Sequence, residues 1–199
     1  MKVNRFDKNF WDQKYRKNKT GWDIGHISTP IKNYIDQLEN KNMKILIPGA
    51  GNSYEAEYLW NNGFKNLFVL DISEQPLKNL KNRVSEIPDS NLIRHDFFEF
   101  NDTFDLIIEQ TFFCALDPDL RSNYAKKMFD LLNDNGKLVG LLFNFELTTE
   151  GPPFGGTKEE YLKYFTPLFE IDTLERAHNS IKPRMNRELF FIFEKKSSK

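Results

Sequence analysis

This sequence has little cysteine, no excess of charge of one sign and no long apolar run. Its 199 residues include a single cysteine, Cys114, so no internal disulfide can form and a disulfide-rich scaffold is excluded. The 28 lysine and arginine residues balance 29 aspartate and glutamate residues, which argues against a dedicated nucleic-acid binder with a basic face. No stretch approaches the ~18 apolar residues of a membrane-spanning helix, so no membrane partner is expected.

The N-terminal residues also lack the apolar segment of a secretory signal, and together with the lone cysteine this favours a cytoplasmic protein. The three histidines are far apart and show no metal-ligand spacing, so no metal site is expected. What the sequence does contain is aromatic, since phenylalanine alone contributes 19 residues. This content indicates one ordered domain with a substantial core. The phenylalanines expected in that core include Phe68, Phe129, Phe143 and Phe191.

The order of the apolar segments predicts an α/β protein. Short apolar stretches typical of strands occur near 44–48, 67–70, 91–93, 104–108 and 137–145, the third being the weakest. Strands that are apolar on both faces belong in parallel sheets covered by helices. Because helical segments separate these stretches, the sequence predicts βαβ units and a doubly wound sheet.

Three further segments complete the expected architecture. Aromatic residues at helical spacing predict an N-terminal helix over roughly 6–17. An acidic cap at 117–119 predicts a long helix, which the polar stretch 133–136 stops. The last two strands, near 169–174 and 188–193, follow each other without an evident helix, so we predict that they pair antiparallel.

A glycine turn of the kind that binds nucleotides follows the first strand. Gly49 and Gly51 allow a sharp turn and the close approach of backbone to a ligand. Asp71 stands 20 residues after Gly51, at the end of the second strand, where a carboxylate can hold a ribose diol. Tyr54 stands where a third glycine would be, so the pattern fits a ligand without phosphates, such as S-adenosylmethionine, better than NAD.

A second acidic position follows the third strand. Asp96 stands where such sheets can place an acid against an adenine amino group, and the ring of Phe97 can pack on the base. A helix-cap or turn role for Asp96 fits the sequence equally well.

Four pairs of stretches, spread over almost the whole chain, resemble one family. They are Trp11 with 21–25, 47–54 with 70–73, 104–107 with 111–118, and 151–154 with 183–184. Together they resemble the thiopurine S-methyltransferase superfamily, most of all its plant-type halide/thiol methyltransferase branch. The Phe-Phe-Cys-Ala and Gly-Pro-Pro stretches are more specific than the glycine turn.

The resemblance implies a class I methyltransferase fold, a Rossmann-like three-layer sandwich whose seven-stranded, mostly parallel sheet contains one antiparallel strand. It implies a single domain over 1–199, with 1–40 as a helical lid and 41–199 as the Rossmann-like core. It also implies S-adenosylmethionine as methyl donor, S-adenosylhomocysteine as product, a small-molecule acceptor and a monomer. The residues it assigns to the cofactor are Trp11, Trp22, Gly49, Gly51, Asp71, Asp96 and Phe97.

The acceptor pocket is expected to involve Tyr15, Gln110 and Arg184. Tyr15 stands where relatives often have a second tryptophan, and Gln110 where plant members tend to have tyrosine. Arg184 is a candidate for binding an anionic group, with surface ion pairing as the alternative. We expect Glu109 to be exposed or salt-bridged rather than a base, and Cys114 to be a small core hydrophobe.

The expected activity is transfer of a methyl group to a small soft nucleophile by in-line displacement. A thiol is the first candidate, and a halide, hydrosulfide or a thiopurine are the others. Aromatic side chains can then meet a sulfonium and exclude water. Two alternatives stay open. The protein could bind S-adenosylmethionine but use a different acceptor or none, or it could be a nicotinamide-dependent oxidoreductase.

Overall fold

The computed structural model describes residues 5–197. The first residues, on which the expectation of no secretory signal rests, and the end of the polar C-terminal tail lie outside the described residues. Six α-helices occur in this part of the chain: α1 Lys8–Arg16, α2 Thr29–Ile35, α3 Tyr54–Asn61, α4 Glu74–Arg83, α5 Arg121–Asp130 and α6 Lys158–Phe165. The seven strands are β1 Ile45–Pro48, β2 Leu67–Asp71, β3 Leu92–Arg94, β4 Phe104–Gln110, β5 Leu132–Phe143, β6 Phe169–Arg176 and β7 Glu188–Lys195.

All seven strands form one sheet in the order β3-β2-β1-β4-β5-β7-β6. The pairs among β1 to β5 are parallel, whereas β7 pairs antiparallel with both β5 and β6. The last strand is therefore inserted as the single antiparallel strand. This confirms the predicted doubly wound sheet and the antiparallel pairing of the last two strands.

Helices cover both faces of the sheet, which gives three layers. Along β1, Leu46 packs in one hydrophobic cluster, while Ile45 and Ile47 pack in a second, because successive side chains of a strand point to opposite faces. Buried residues of α5 and α6 contribute to the first cluster. Buried residues of α2, α3 and α4 contribute to the second.

The predicted boundaries of the fifth strand are wrong. The strand begins at Leu132 and ends at Phe143, whereas the sequence indicated 137–145. Leu132 and Lys137 pair with β4 residues only two apart, so 133–136 bulges out of the ladder. The side chain of Asn133 donates a hydrogen bond to Asp105 of β4 at 2.8 Å, which holds the bulge against its neighbour.

Two predicted helix starts also shift. Asp7 caps α1 by accepting the backbone N–H of Phe10, and the helix begins at Lys8. Asp117 caps a short 3₁₀ turn, Pro118–Leu120, and α5 begins only after it. The carboxyl ends of β1, β2, β3 and β4 meet at one edge of the sheet, and α1 lies near α4 at that edge. The fold thus brings the predicted site residues to a single place.

Candidate functional site

The glycine turn after β1 depends on its two glycines. Gly49 and Gly51 have φ values of +55° and +53°, in the left-handed region that disfavours side chains. A Cβ atom at Gly49 would lie 2.1 Å from the ring of Phe112, so the turn and the ring can approach only without it. The turn is therefore fixed in a shape that other residues would distort.

Asp71, at the end of β2, is tied to that turn. One carboxylate oxygen accepts the N–H of Gly51 at 3.1 Å, and the other accepts the N–H of Ser73 at 2.8 Å. Burial raises the pKa of Asp71 to about 6, although these two hydrogen bonds lower it. Asp71 is thus a buried, oriented carboxylate that is ionised at neutral pH.

Three aromatic residues, which we call the aromatic lid, lie over the turn: Trp11, Tyr15 and Trp22. The Trp22 ring packs edge-on against Trp11 and Tyr15, with centroids 5.5 and 5.8 Å apart. The Tyr15 hydroxyl and the Trp22 indole nitrogen lie 3.4 and 3.7 Å from where a Gly51 Cβ atom would be. A Cβ atom there would only touch the lid, so the requirement for glycine at Gly51 comes from its positive φ and not from the lid.

Hydrogen bonds hold the chain segment that carries the aromatic lid, residues 11–23 (the lid segment), against the edge of the sheet. The Ser73 hydroxyl donates to Asp12 of α1 at 2.6 Å, and the side-chain amide of Asn52 donates to Asp23. The guanidinium of Arg184 donates to the carbonyl oxygen of Trp22 at 2.6 Å. These contacts join the lid segment to three different parts of the chain.

Asp96 and Phe97 follow β3 at the same edge. Asp96 accepts the backbone N–H of Phe98 at 2.8 Å, which is the turn role that the sequence allowed, and it also lines the cleft. Phe97 is buried, and its ring meets Phe112 edge-on at 5.0 Å. An aromatic wall therefore stands beside the glycine turn.

These elements enclose a cleft of about 460 Å³. All ten residues that the sequence selected line it: Trp11, Tyr15, Trp22, Gly49, Gly51, Asp71, Asp96, Phe97, Gln110 and Arg184. We divide the cleft into two sides. The glycine-turn side comprises Gly49, Gly51, Asp71, Asp96 and Phe97, and the Arg184 side comprises Gln110, Phe143, Pro152, Pro153 and Arg184.

The Arg184 side is built from loops as well as strand ends. Arg184 is buried, its guanidinium carbon lies 5.6 Å from the centroid of the Phe143 ring, and it pairs with Glu188 at 3.3 Å. Arg184 therefore forms a buried ion pair, whereas the alternative that the sequence allowed was an ion pair at the surface. Among residues 5–197, no group of histidine, cysteine or acidic side chains is arranged to hold a metal ion.

A family model described as thiopurine S-methyltransferase matches residues 6–197. The chain belongs to this family. It is 28% identical over 194 residues to the probable thiol methyltransferase 2 of Arabidopsis thaliana, covering 94% of this chain and 85% of that protein. It is 27% identical over 186 residues to thiocyanate methyltransferase 1 of Brassica oleracea, covering 89% and 81%.

A solved structure supports the fold. The Burkholderia thailandensis 1,6-didemethyltoxoflavin-N1-methyltransferase, solved with bound 1,6-didemethyltoxoflavin and S-adenosylhomocysteine, aligns with a TM-score of 0.71 at 16% identity, covering 96% of this chain and 87% of the other. The expected family, the class I methyltransferase fold, S-adenosylmethionine as donor and S-methyltransferase activity are confirmed. Family membership decides against the nicotinamide-dependent oxidoreductase.

The glycine-turn side of this family member fits S-adenosylmethionine. The carboxylate of Asp71 accepts the N–H groups of Gly51 and Ser73, and its four lone pairs leave capacity for a ribose hydroxyl. The rings of Phe97 and Phe112 meet edge-on at 85°, so they form an apolar corner against which a base can pack. These residues would hold the nucleoside, and the aromatic lid would cover it.

In this methyltransferase Glu109 is buried, whereas the sequence predicts that it is exposed or salt-bridged. It is fully buried rather than exposed, and one carboxylate oxygen accepts the N–H groups of Phe112 and Phe113 at 2.7 and 2.8 Å. Burial raises its pKa to about 7. Glu109 thus shapes the turn after β4 from behind, and it is not among the residues that line the cleft.

The positions of Cys114 and Phe143 also differ in part from those that the sequence predicts. Cys114 is buried as expected of a small hydrophobe, and burial raises the pKa of its thiol, but it also lines the cleft. Phe143 was expected in the core and instead forms part of the cleft wall.

Sequence reasoning missed Glu55, which lies in the first turn of α3. It is buried, lines the cleft and accepts the N–H of Ser28 at 3.3 Å, and burial raises its pKa. Its position four residues after Gly51 offered a signal, because the first turn of a helix favours acids. Phe6, another lining residue, was assigned only to the helix face.

Proposed function

We propose that the protein methylates a small, soft, anionic sulfur nucleophile, with hydrosulfide and small thiolates as its first acceptors. The observation that carries this is one aromatic cleft of about 460 Å³, which is modest among ligand sites of ~300–1,000 Å³. A cofactor the size of S-adenosylmethionine leaves room there for a small acceptor. The names of the thiol and thiocyanate methyltransferase relatives support the same acceptor class.

The glycine-turn side would bind and orient the cofactor. In this proposal Asp71 accepts hydrogen bonds from the ribose hydroxyls, while Gly49 and Gly51 leave room for the close approach of the backbone. Asp96 and Phe97 would flank the adenine. In this role the residues would hold the nucleoside and not the reacting atoms, so their contribution would be affinity and alignment.

The aromatic lid would exclude water from the reaction. When bound, S-adenosylmethionine supplies the methyl group, the positive charge and the leaving group of an in-line displacement. The rings of Trp11, Tyr15 and Trp22 can face that charge through cation–π attraction. They also strip water from an anionic acceptor, which raises its reactivity because a soft anion loses its stabilising hydration.

The proposal requires no general base. Hydrosulfide and acidic thiols arrive already deprotonated, so the protein has to orient them rather than remove a proton. Glu109 does not line the cleft, and Cys114 keeps its proton at neutral pH because burial raises its pKa. A halide or thiocyanate would be methylated in the same way.

We also propose a monomer in the cytoplasm that acts on small molecules. The single cysteine is free and buried, and such a thiol persists in a reducing compartment. The described residues include no helix long and apolar enough to cross a membrane. The balanced charge of the chain gives no support to a nucleic-acid partner.

The test begins with calorimetric binding of S-adenosylhomocysteine, followed by turnover on hydrosulfide, thiophenol, thiocyanate, iodide and a thiopurine. Headspace mass spectrometry detects the volatile products, and liquid chromatography detects the methylated thiopurine. We expect hydrosulfide and small thiols to have the highest kcat/KM. Turnover confined to the bulky thiopurine, or to none of these compounds, would contradict the proposed acceptor.

A further inference from the structure

Gln110 carries a polar group in the cleft that has no partner in the protein. Its side-chain oxygen is shielded from solvent and accepts no hydrogen bond. Because the oxygen is covered and Gln110 lines the cleft, we infer that the NH₂ end of the amide faces the cleft. An amide that lacks a protein partner in a site walled by aromatic rings is a group that a ligand can satisfy.

Gln110 lies where the Arg184 side adjoins the glycine-turn side of the cleft. It ends β4, which pairs with β1, and β1 leads directly into the turn at Gly49. On its other side Gln110 pairs with Leu141 of β5, two residues before Phe143. A ligand atom held by Gln110 would therefore lie where the glycine-turn side meets the Arg184 side.

Two other polar side chains that line the cleft, Arg184 and Cys114, are already engaged. The Arg184 guanidinium is hydrogen-bonded to the Trp22 carbonyl and paired with Glu188, so much of its charge is compensated. The Cys114 thiol donates to the carbonyl oxygen of Thr111 at 3.3 Å. The amide NH₂ group of Gln110, by contrast, is a donor without a protein partner at this point of the cleft.

We propose that the Gln110 amide donates a hydrogen bond to the anionic atom of the acceptor and so selects anions over neutral acceptors. This proposal rests on the proposed function. Hydrogen bonds to a charged acceptor are about twice as strong as those between neutral groups, and the dry aromatic walls strengthen them further. An amide brings a donor without a positive charge, so it does not repel the sulfonium of the cofactor.

The chemical step balances without a proton transfer. A lone pair of the hydrosulfide sulfur forms the new bond to the methyl carbon while the bond from that carbon to the sulfonium breaks. The electron pair of the broken bond stays on the cofactor sulfur, and the products are neutral methanethiol and S-adenosylhomocysteine. Since the acceptor loses its charge, its hydrogen bond to Gln110 weakens, which favours product release.

The test uses Gln110→Glu, which keeps the size of the side chain and replaces the donor with a negative charge, and Gln110→Leu, which removes the donor. Gln37→Glu, an exposed glutamine outside the cleft, controls for the added charge. We expect the KM for hydrosulfide to rise roughly tenfold or more in Gln110→Leu, and further in Gln110→Glu. The Kd for S-adenosylhomocysteine should stay near that of the unaltered protein in all three.

A binding measurement keeps the test independent of turnover. We expect thiocyanate to bind the complex with S-adenosylhomocysteine in the unaltered protein and in Gln37→Glu, and to lose this binding in Gln110→Glu. Equal thiocyanate affinity and equal hydrosulfide KM in Gln110→Glu and the unaltered protein would overturn the role of Gln110. A protein that methylates none of the acceptors overturns the proposed function instead, because thiocyanate binding still reports on Gln110.

Discussion

The two sides of the cleft are built by different means. On the glycine-turn side, the carboxylates of Asp71 and Asp96 are fixed by backbone N–H groups of the turns that follow β1, β2 and β3. On the Arg184 side, Arg184 reaches across 162 residues of sequence to the carbonyl oxygen of Trp22, and the amide oxygen of Gln110 has no partner. One side is organised by local turns and the other by distant contacts.

This difference separates binding of the donor from choice of the acceptor. Local hydrogen bonds hold the glycine-turn side in shape before any ligand arrives, so its substitutions should act on cofactor affinity. The Arg184 side depends on how loops meet, so its substitutions should act on the acceptor. Each of the following substitutions tests whether the two sides are as independent as this comparison requires.

The largest expected effect belongs to Asp71→Ala, which removes the carboxylate that we assign to the ribose. Loss of hydrogen bonds from two hydroxyls to a charged group should weaken S-adenosylhomocysteine binding by roughly 100-fold, measured by calorimetry. The unaltered protein should also bind more weakly as the pH falls through about 6, because protonation of Asp71 removes the stronger acceptor.

Asp71→Asn supplies the matched control, because it keeps the shape of the side chain and does not titrate. It should show a smaller loss of affinity and none of the pH dependence that Asp71 causes. If cofactor affinity in Asp71→Ala matched that of the unaltered protein, the assignment of this side would be wrong.

The sequence predicted the glycine-turn side well because its signals are local. An apolar strand, a glycine turn and an acid 20 residues later define the site within one βαβ unit, and all of these residues reach the cleft. The sheet was predictable for the same reason. The alternation of strands and helices is visible in short windows, and the structure has the doubly wound sheet that this alternation predicts.

The errors arose where a residue's environment depends on a partner distant in sequence or on backbone geometry. The polar stretch 133–136 has the composition of a chain break, yet pairing with β4 on both sides of it keeps it within one strand. Glu109 was expected at the surface because a glutamate is costly to bury. It is buried because the N–H groups of Phe112 and Phe113 turn back towards it, which no periodicity reveals.

Arg184→Lys is expected to have the intermediate effect. Lysine keeps the charge but lacks the planar fork that contacts Trp22 and Glu188 together. The lid should then close less well over the acceptor, with kcat/KM for hydrosulfide falling roughly tenfold while the Kd of S-adenosylhomocysteine changes much less. Steady-state kinetics and calorimetry measure the two quantities.

Arg187→Lys is the control for this substitution, since Arg187 lies three residues away, packs over the Phe145 ring at 4.7 Å and does not line the cleft. It should leave both quantities near those of the unaltered protein. An equal effect on cofactor and acceptor in Arg184→Lys would break the proposed separation of the two sides.

The smallest effect on activity is expected from Glu109→Gln, whose consequence is in stability. Burial raises the pKa of Glu109 from 4.5 to about 7, so the folded protein binds an additional proton between these values. The free energy of unfolding should therefore fall as the pH rises through this range, by up to about 3 kcal/mol from this group. Denaturant titrations from pH 5 to 8 measure this slope.

The glutamine oxygen can still accept the N–H groups of Phe112 and Phe113, so the turn beside Gly49 should keep its shape and both ligands should bind nearly as before. The difference in unfolding free energy between the two proteins isolates Glu109 from Asp71, whose raised pKa also contributes below pH 6. The variant should gain stability relative to the unaltered protein as the pH rises to 8. Parallel pH curves would show that Glu109 does not titrate there, and a large loss of acceptor turnover would place it in the site itself.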